Sequence, residues 1–259
     1  AYPMYDEIEY LVERVSEVLK LEEPILSLET PIIIVGDLLG SFEDLMTIFE
    51  LNGEPPLATY LFLGNYVDYG SNSLFVFLYL LTLKSLFPLQ VFLLRGAHES
   101  LSMNLLYGFV DECKGVYQTD IVWKMIIEVY KYLPLAACFT KERVFCIHGG
   151  LSPGIEFVFK LSRLKRSKNV DLNSELADIL WSTPISEFND TDSSNLREKM
   201  DIISLIKDKD SESSGWRFSP EGIGFSFLQS CTDNFLLKNN LKLIVRGHSF
   251  IPDGIQEFH

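Results

Sequence analysis

The chain has 259 residues, 36 Asp and Glu against 22 Lys and Arg, a formal net charge of −14, and 47% hydrophobic residues, 13% aromatic. That much apolar mass fills the core of one large domain and excludes disorder as the main state. The acidic balance repels phosphate backbones and anionic lipid, so neither nucleic acid nor membrane is an expected partner.

Ile8, Leu11, Val12, Val15, Val18 and Leu19 recur on one helical face with Glu and Lys between them, which predicts an amphipathic helix over residues 5–20. Asp6, Glu7 and Glu9 stand where a secretory signal would carry basic residues. Residues 32–35 (IIIV) then form a β-branched run ending at Gly36, the pattern of a buried strand with a sharp exit. The same grammar returns at 59–63 into Gly64, 90–94 into Arg95 and Gly96, 144–147 into His148, and 242–245 into Arg246, Gly247 and His248. Helical patterns lie at 42–49, 74–87, 122–132 and 175–181. This alternation predicts an α/β domain with its site on loops at strand ends.

Residues 185–214 break the pattern: eight acidic residues face four basic ones, with serines at both ends, which reads as an acidic surface insertion. Within it, Asn195 and Glu198 form a capping pair, and Leu196, Met200, Ile203 and Ile206 would share a helical face packed on the domain or on a partner. The basic cluster at 163–168 reads as a solvated face. Cys113, Cys138, Cys146 and Cys231 have neither metal-ligand nor disulfide-framework spacing, and no apolar run is long enough to span a bilayer. Together these features suggest a reduced, intracellular chain, cytoplasmic rather than secreted.

Asp37, Asp68, His98, His148 and His248 all follow short hydrophobic strands. Singly, such residues serve as helix caps or turn formers as readily as ligands. Together they are the residue supply from which two-metal hydrolase sites are made.

The blocks GDLLGSFEDL (36–45), YLFLGNYVDYG (60–70), VFLLRGAHES (91–100), CIHGGLSP (146–153), ILWSTP (179–184) and IVRGHSFIPDG (244–254) occur in the order and spacing of the PPP-family serine/threonine protein phosphatases, the family of calcineurin. YGFVDECK (107–114) and YLPLAAC (132–138) extend the resemblance over nearly the whole chain. It implies a single metallophosphatase domain over 1–259: a central two-sheet β-sandwich flanked by helices, with two metal ions (Mn, Fe or Zn) at one edge. The family domain continues past the segment matching 252–258 with further strands, which are absent from these 259 residues; either the chain extends further, or part of one sheet is supplied by a partner or left open.

The departures from the family pattern fall on its chemistry. Asp37 matches a metal ligand, but Leu39 stands at a His ligand position, Asn65 replaces the Asp that bridges both metals, and Ala97 replaces an Asn ligand. His148 and His248 match the last two ligands, and Asp68 and His98 match the acid pair. Tyr69 and Glu221 stand where the family places phosphate-binding Arg. A neutral amide is a poor bridge between two cations, and a Tyr and a Glu cannot grip a phosphate dianion as an Arg fork does. The resemblance therefore implies a catalytically inactive phosphatase-like protein, a pseudophosphatase acting as a structural or interaction component with protein partners in a larger assembly. No cofactor is expected, or at most one divalent ion. The alternatives are a residual single-metal phosphoesterase on His148 and His248, and a site altered to take a different small ligand.

Overall fold

A computed structural model describes residues 2–185 and 215–258. The expected acidic insertion, with its capping pair and its Leu196–Ile206 face, lies apart from Ile185 outside the described residues. Two sheets form the centre. In one, β1 (Ile25–Ser27), β5 (Ala136–Phe139), β6 (Val144–Ile147) and β10 (Leu243–Arg246) run in the order β1-β5-β6-β10. In the other, β2 (Ile33–Val35), β3 (Tyr60–Phe62) and β4 (Val91–Leu93) are all parallel.

Period-two alternation decides which side chains meet. Leu61 of β3, with Leu63 and Leu94 just beyond β3 and β4, packs against Leu26, Ala137, Phe139 and Cys146 between the two sheets. The alternate residues Tyr60 and Phe62 turn the other way, into a helical layer. Phe145 and Ile147 likewise leave the sandwich to meet α7 (Glu175–Trp181) and α8 (Gln229–Lys238). A third, small sheet of β7 (Thr183–Pro184), β9 (Phe225–Phe227) and β8 (Trp216–Phe218) was not legible in the sequence, because its strands are two or three residues long.

On the helical side, α1 (Tyr5–Lys20) buries Ile8, Val15 and Leu19, and α2 (Phe42–Asn52) buries Leu45 and Phe49. α3 (Ser73–Leu86) is apolar nearly all round and buries most of its side chains, with Thr82 and Leu86 exposed. α4 (Leu101–Tyr107), α5 (Phe109–Tyr117) and α6 (Ile121–Ile126) follow. The helical pattern expected over 122–132 is split: α6 stops at Ile126 and a tighter 3₁₀ turn spans Val129–Lys131. Among the described residues no helix is long and apolar enough to cross a membrane.

Enclosing α3 leaves one charge inside. Lys84 is fully buried; its Nζ pairs with the Glu22 carboxylate and donates to the carbonyls of Pro88 (3.0 Å) and Val91 (2.8 Å), tying α3 to the segment entering β1 and to β4. Removing one partner of a buried pair strands the other. Lys84→Ala is therefore expected to cost about 3–5 kcal/mol. Lys84→Met combined with Glu22→Leu should cost much less, a contrast that urea unfolding of the three proteins measures.

Candidate active site

β2, β3 and β4 are parallel, and in the facing sheet β6 and β10 are parallel to each other. Their following loops meet at one edge of the sandwich and deliver Asp37, Asn65, His98, His148 and His248. The loops after β3 and β4 touch through main chain. A Cβ on Gly64 would lie 2.4 Å from the nitrogen of Gly96, and one on Gly96 would lie 2.3 Å from the nitrogen of Asn65, so only glycine fits at either place. Leu39, Asn65, Asp68, Tyr69 and His248 all adopt positive φ (44°, 55°, 71°, 61° and 66°), which concentrates backbone strain in these loops.

A buried carboxylate holds the first two loops together. Glu99 accepts from the backbone N–H groups of Asn65 (2.8 Å), Tyr66 (2.9 Å) and Gly96 (2.8 Å). Burial nevertheless pushes its pKa up to about 7. Tyr66 adds a hydroxyl bond to the Leu94 carbonyl at 2.6 Å.

The orientation of Asn65 follows from its partners. Its Oδ1 accepts the His98 backbone N–H at 2.9 Å, and an N–H can only donate, so the amide nitrogen points the other way. Nδ2 donates to Asp37 Oδ2 at 2.8 Å. The second oxygen, Asp37 Oδ1, accepts the His248 backbone N–H at 2.9 Å. Both oxygens of Asp37 are thus held by N–H donors.

His148 is fully buried and lies 3.8 Å from Asp37. Its Nδ1 donates to the Leu63 carbonyl at 2.9 Å, which leaves Nε2 as a bare lone pair. His148 Nε2 and His248 Nδ1 are both buried without a hydrogen-bond partner, and the two rings lie 5.2 Å apart. Burial pulls the pKa of His148 down to about 3, helped by the Arg246 charge. Burial and the His148 neighbour do the same to His248. Both rings are neutral at physiological pH.

Asp68 and His98 are joined at 2.8 Å. Asp68 also accepts from the Phe109 backbone N–H at 3.0 Å. Behind the pair, Asn104 donates to the His98 carbonyl (2.8 Å) and accepts from Tyr130 (3.0 Å) and Trp123 (3.3 Å), anchoring it to α4, α6 and the 3₁₀ turn. Sequence reasoning missed Asn104, Trp123 and Tyr130. An Asn near a cluster of strand-end residues was the available signal, but it is too common to single out.

The remaining positions named from the sequence are Leu39, Ala97, Tyr69 and Glu221. Leu39 contributes backbone only: its N–H donates to the Asn65 carbonyl (2.9 Å) and its carbonyl accepts from Gly70 (2.8 Å). Ala97 is buried and offers no donor atom. Tyr69 is 66% exposed and packs on His98 (5.3 Å between ring centres) and Tyr107 (5.0 Å). Partial desolvation, a hydrogen bond to Tyr107 and the carboxylates of Asp68 and Glu221 push its pKa up to about 12.

A bridged metal pair does not fit these residues. The bridging position presents an NH₂ group to Asp37, the Leu39 and Ala97 side chains have no lone pairs, and both Asp37 oxygens already accept hydrogen bonds. Among the described residues, His148 Nε2 and His248 Nδ1 are the buried imidazole nitrogens without a hydrogen-bond partner.

The family model for calcineurin-like phosphoesterases matches residues 30–252. The chain belongs to that family. A serine/threonine protein phosphatase from Saccharomyces cerevisiae with similarity to human phosphatase PP5 superposes with a TM-score of 0.80 at 28% identity, covering 96% of this chain and 72% of that one. A cold-active protein-tyrosine phosphatase of a psychrophile, Shewanella sp., shares the fold at 14% identity with a TM-score of 0.54, covering 90% of this chain and 70% of that one. The calcineurin-like phosphoesterase fold is thus present with its strand-end loops in place.

The Asn65 amide is the neutral link between Asp37 and the His98 loop. Asn65→Asp sets two carboxylates against each other and removes a buried donor. In metal-free buffer it is expected to lower unfolding stability by about 1–3 kcal/mol, as urea denaturation would show.

Proposed function

We propose that this chain is a catalytically inactive member of the phosphatase-like branch of its family, a pseudophosphatase that serves as a structural or interaction component in an assembly with protein partners. The observation that carries this reading is the Asn65–Asp37 hydrogen bond. The position that an anionic metal bridge would occupy holds an amide donor, and the adjacent carboxylate is satisfied by it. Without a metal pair there is no strongly acidified water to attack phosphorus at neutral pH. Support also comes from the chemistry around the cluster. Among the described residues no three His, Cys, Asp or Glu side chains are grouped to hold an ion, and Tyr69 and Glu221 offer a phosphate dianion one hydroxyl and one repelling charge. The likeness to the yeast serine/threonine phosphatase makes phosphoserine and phosphothreonine peptides the substrates to test.

The surviving Asp68–His98 pair has a structural role on this reading. It hangs on Asn104 and Phe109 and fixes the loop after β4 to α4 and α5. A second reading rests on the bare nitrogens of His148 and His248, which could give one divalent ion two ligands and support a residual single-metal phosphoesterase. The carboxylate nearest to hand is Asp37, 3.8 Å from His148, and both its oxygens already accept N–H groups.

Phosphopeptide turnover with added Mn²⁺ separates the two. The unmodified chain, and each single reversion among Leu39→His, Asn65→Asp, Ala97→Asn, Tyr69→Arg and Glu221→Arg, is expected to show none, because bridge, ligands and phosphate grip act as a unit. Metal-dependent turnover by the unmodified chain, lost in His148→Ala, would establish the second reading instead.

A further inference from the structure

The basic run at 163–168, expected as a solvated face, borders a cleft. A 3₁₀ turn over Val158–Arg163 leads into it, and residues 157–168 carry Lys160, Arg163, Lys165, Arg166 and Lys168 with no acid among them, on a chain of net charge −14. Arg166 turns to the Tyr132 and Leu133 carbonyls (2.8 and 3.3 Å), and Lys168 pairs with Glu128. Arg163 and Lys165 are exposed, and among the described residues neither has a carboxylate partner. The Arg163 guanidinium lies over the Phe159 ring, 5.7 Å from its centre; Phe159 stacks on Phe157 at 5.6 Å and is 56% exposed. Residues three apart eclipse in a 3₁₀ turn, so Lys160 and Arg163 share a face. Lys160 ties that face to the cleft. Its Nζ donates to the Gly154 carbonyl at 3.1 Å, and the next residue, Ile155, joins Leu151, Trp216 and Phe235 in lining a space of about 360 Å³ between the loop after β6 and α8. Glu156 and Lys238 line it too, paired at 2.6 Å with both side chains partly exposed.

We infer that this cleft and the turn beside it dock an acidic segment of a protein partner, with one apolar side chain of the segment in the cleft and its carboxylates on Arg163, Lys160 and Lys238. The inference rests on the reading of the chain as an interaction component and deepens it, and it uses no residue of the strand-end cluster. Charge complementarity selects the occupant. The Arg163 guanidinium offers a carboxylate a planar fork of donors, and Phe159 shields one of its faces from water. A long polyanion such as nucleic acid feels the charge of the whole chain, which repels it, whereas a short segment feels the charges within one Debye length, roughly 8 Å at physiological salt. The buried side chains of Leu151, Ile155 and Phe235 in the cleft favour a peptide with an apolar anchor over a free inorganic anion.

The test is fluorescence anisotropy on the full chain with four labelled probes: the peptide Asp-Glu-Phe-Glu-Asp, the same peptide with alanine for phenylalanine, the charge-reversed Lys-Arg-Phe-Arg-Lys, and a short oligouridylate. The acidic phenylalanine peptide is expected to bind best of the four, and more weakly as salt rises. This comparison uses the unmodified chain, so it decides the matter however a variant folds. Arg163→Glu should weaken the acidic peptide about tenfold. Arg14→Glu, on the exposed face of α1 in the other helical layer, makes the same charge change and should leave binding unaltered, with circular dichroism showing both variants folded. Equal losses in Arg14→Glu and Arg163→Glu, equal binding of the alanine peptide, preference for the oligouridylate, or no binding of the acidic peptide would each overturn the inference. Phosphopeptide turnover with Mn²⁺, run alongside, keeps the two claims apart: turnover overturns catalytic silence without touching the docking site, whereas absent turnover with absent acidic-peptide binding overturns the docking site alone.

Discussion

The cleft depends on one buried carboxylate. Glu99 gathers three backbone N–H groups from two loops that would otherwise expose unpaired donors to an apolar interior. Because it grips Asn65 and Gly96 together, it sets the spacing across which Asn65 reaches Asp37 on one side and His98 on the other. Burial opposes the charged form, and the convergent donors offset that opposition in part.

Around this clamp the Asp37 carboxylate and the His148 imidazole are held by hydrogen bonds from within the protein. An anionic bridge beside Asp37 would need cations to offset repulsion between carboxylates. The neutral Asn65 removes one negative charge and supplies a donor in the same volume. Burial keeps His148 and His248 neutral at physiological pH. Hydrogen bonds close much of the cluster, and His148 Nε2 and His248 Nδ1 are the buried atoms within it that have none.

Much of this arrangement was legible in the chain. Strand-ending glycines and the Asp or His after them located the loops, and the parallel order of β2, β3 and β4 brings those residues together as the block order implied. The third sheet was not legible, since β7, β8 and β9 are too short for alternation to register. The break after Ile126 was missed because the apolar pattern runs on through the 3₁₀ turn. Neither the buried pairing of Lys84 with Glu22 nor the Asn104 hub could be read locally, because each depends on partners brought in from distant parts of the chain. The direction of the Asn65 amide, on which the functional reading turns, is set by a backbone N–H 33 residues away.

The contact between Gly64 and Gly96 has a consequence for how such a protein can change. Where two loops meet backbone to backbone with no room for a methyl group, the outline of the cleft is drawn by the main chain and its glycines. Side chains hung on that outline can be exchanged one at a time, each at the cost of its own contacts, without redirecting the loops. In a cleft built this way a change of chemistry is uncoupled from a change of shape, and the contour drawn by the main chain stays open to occupation on different terms.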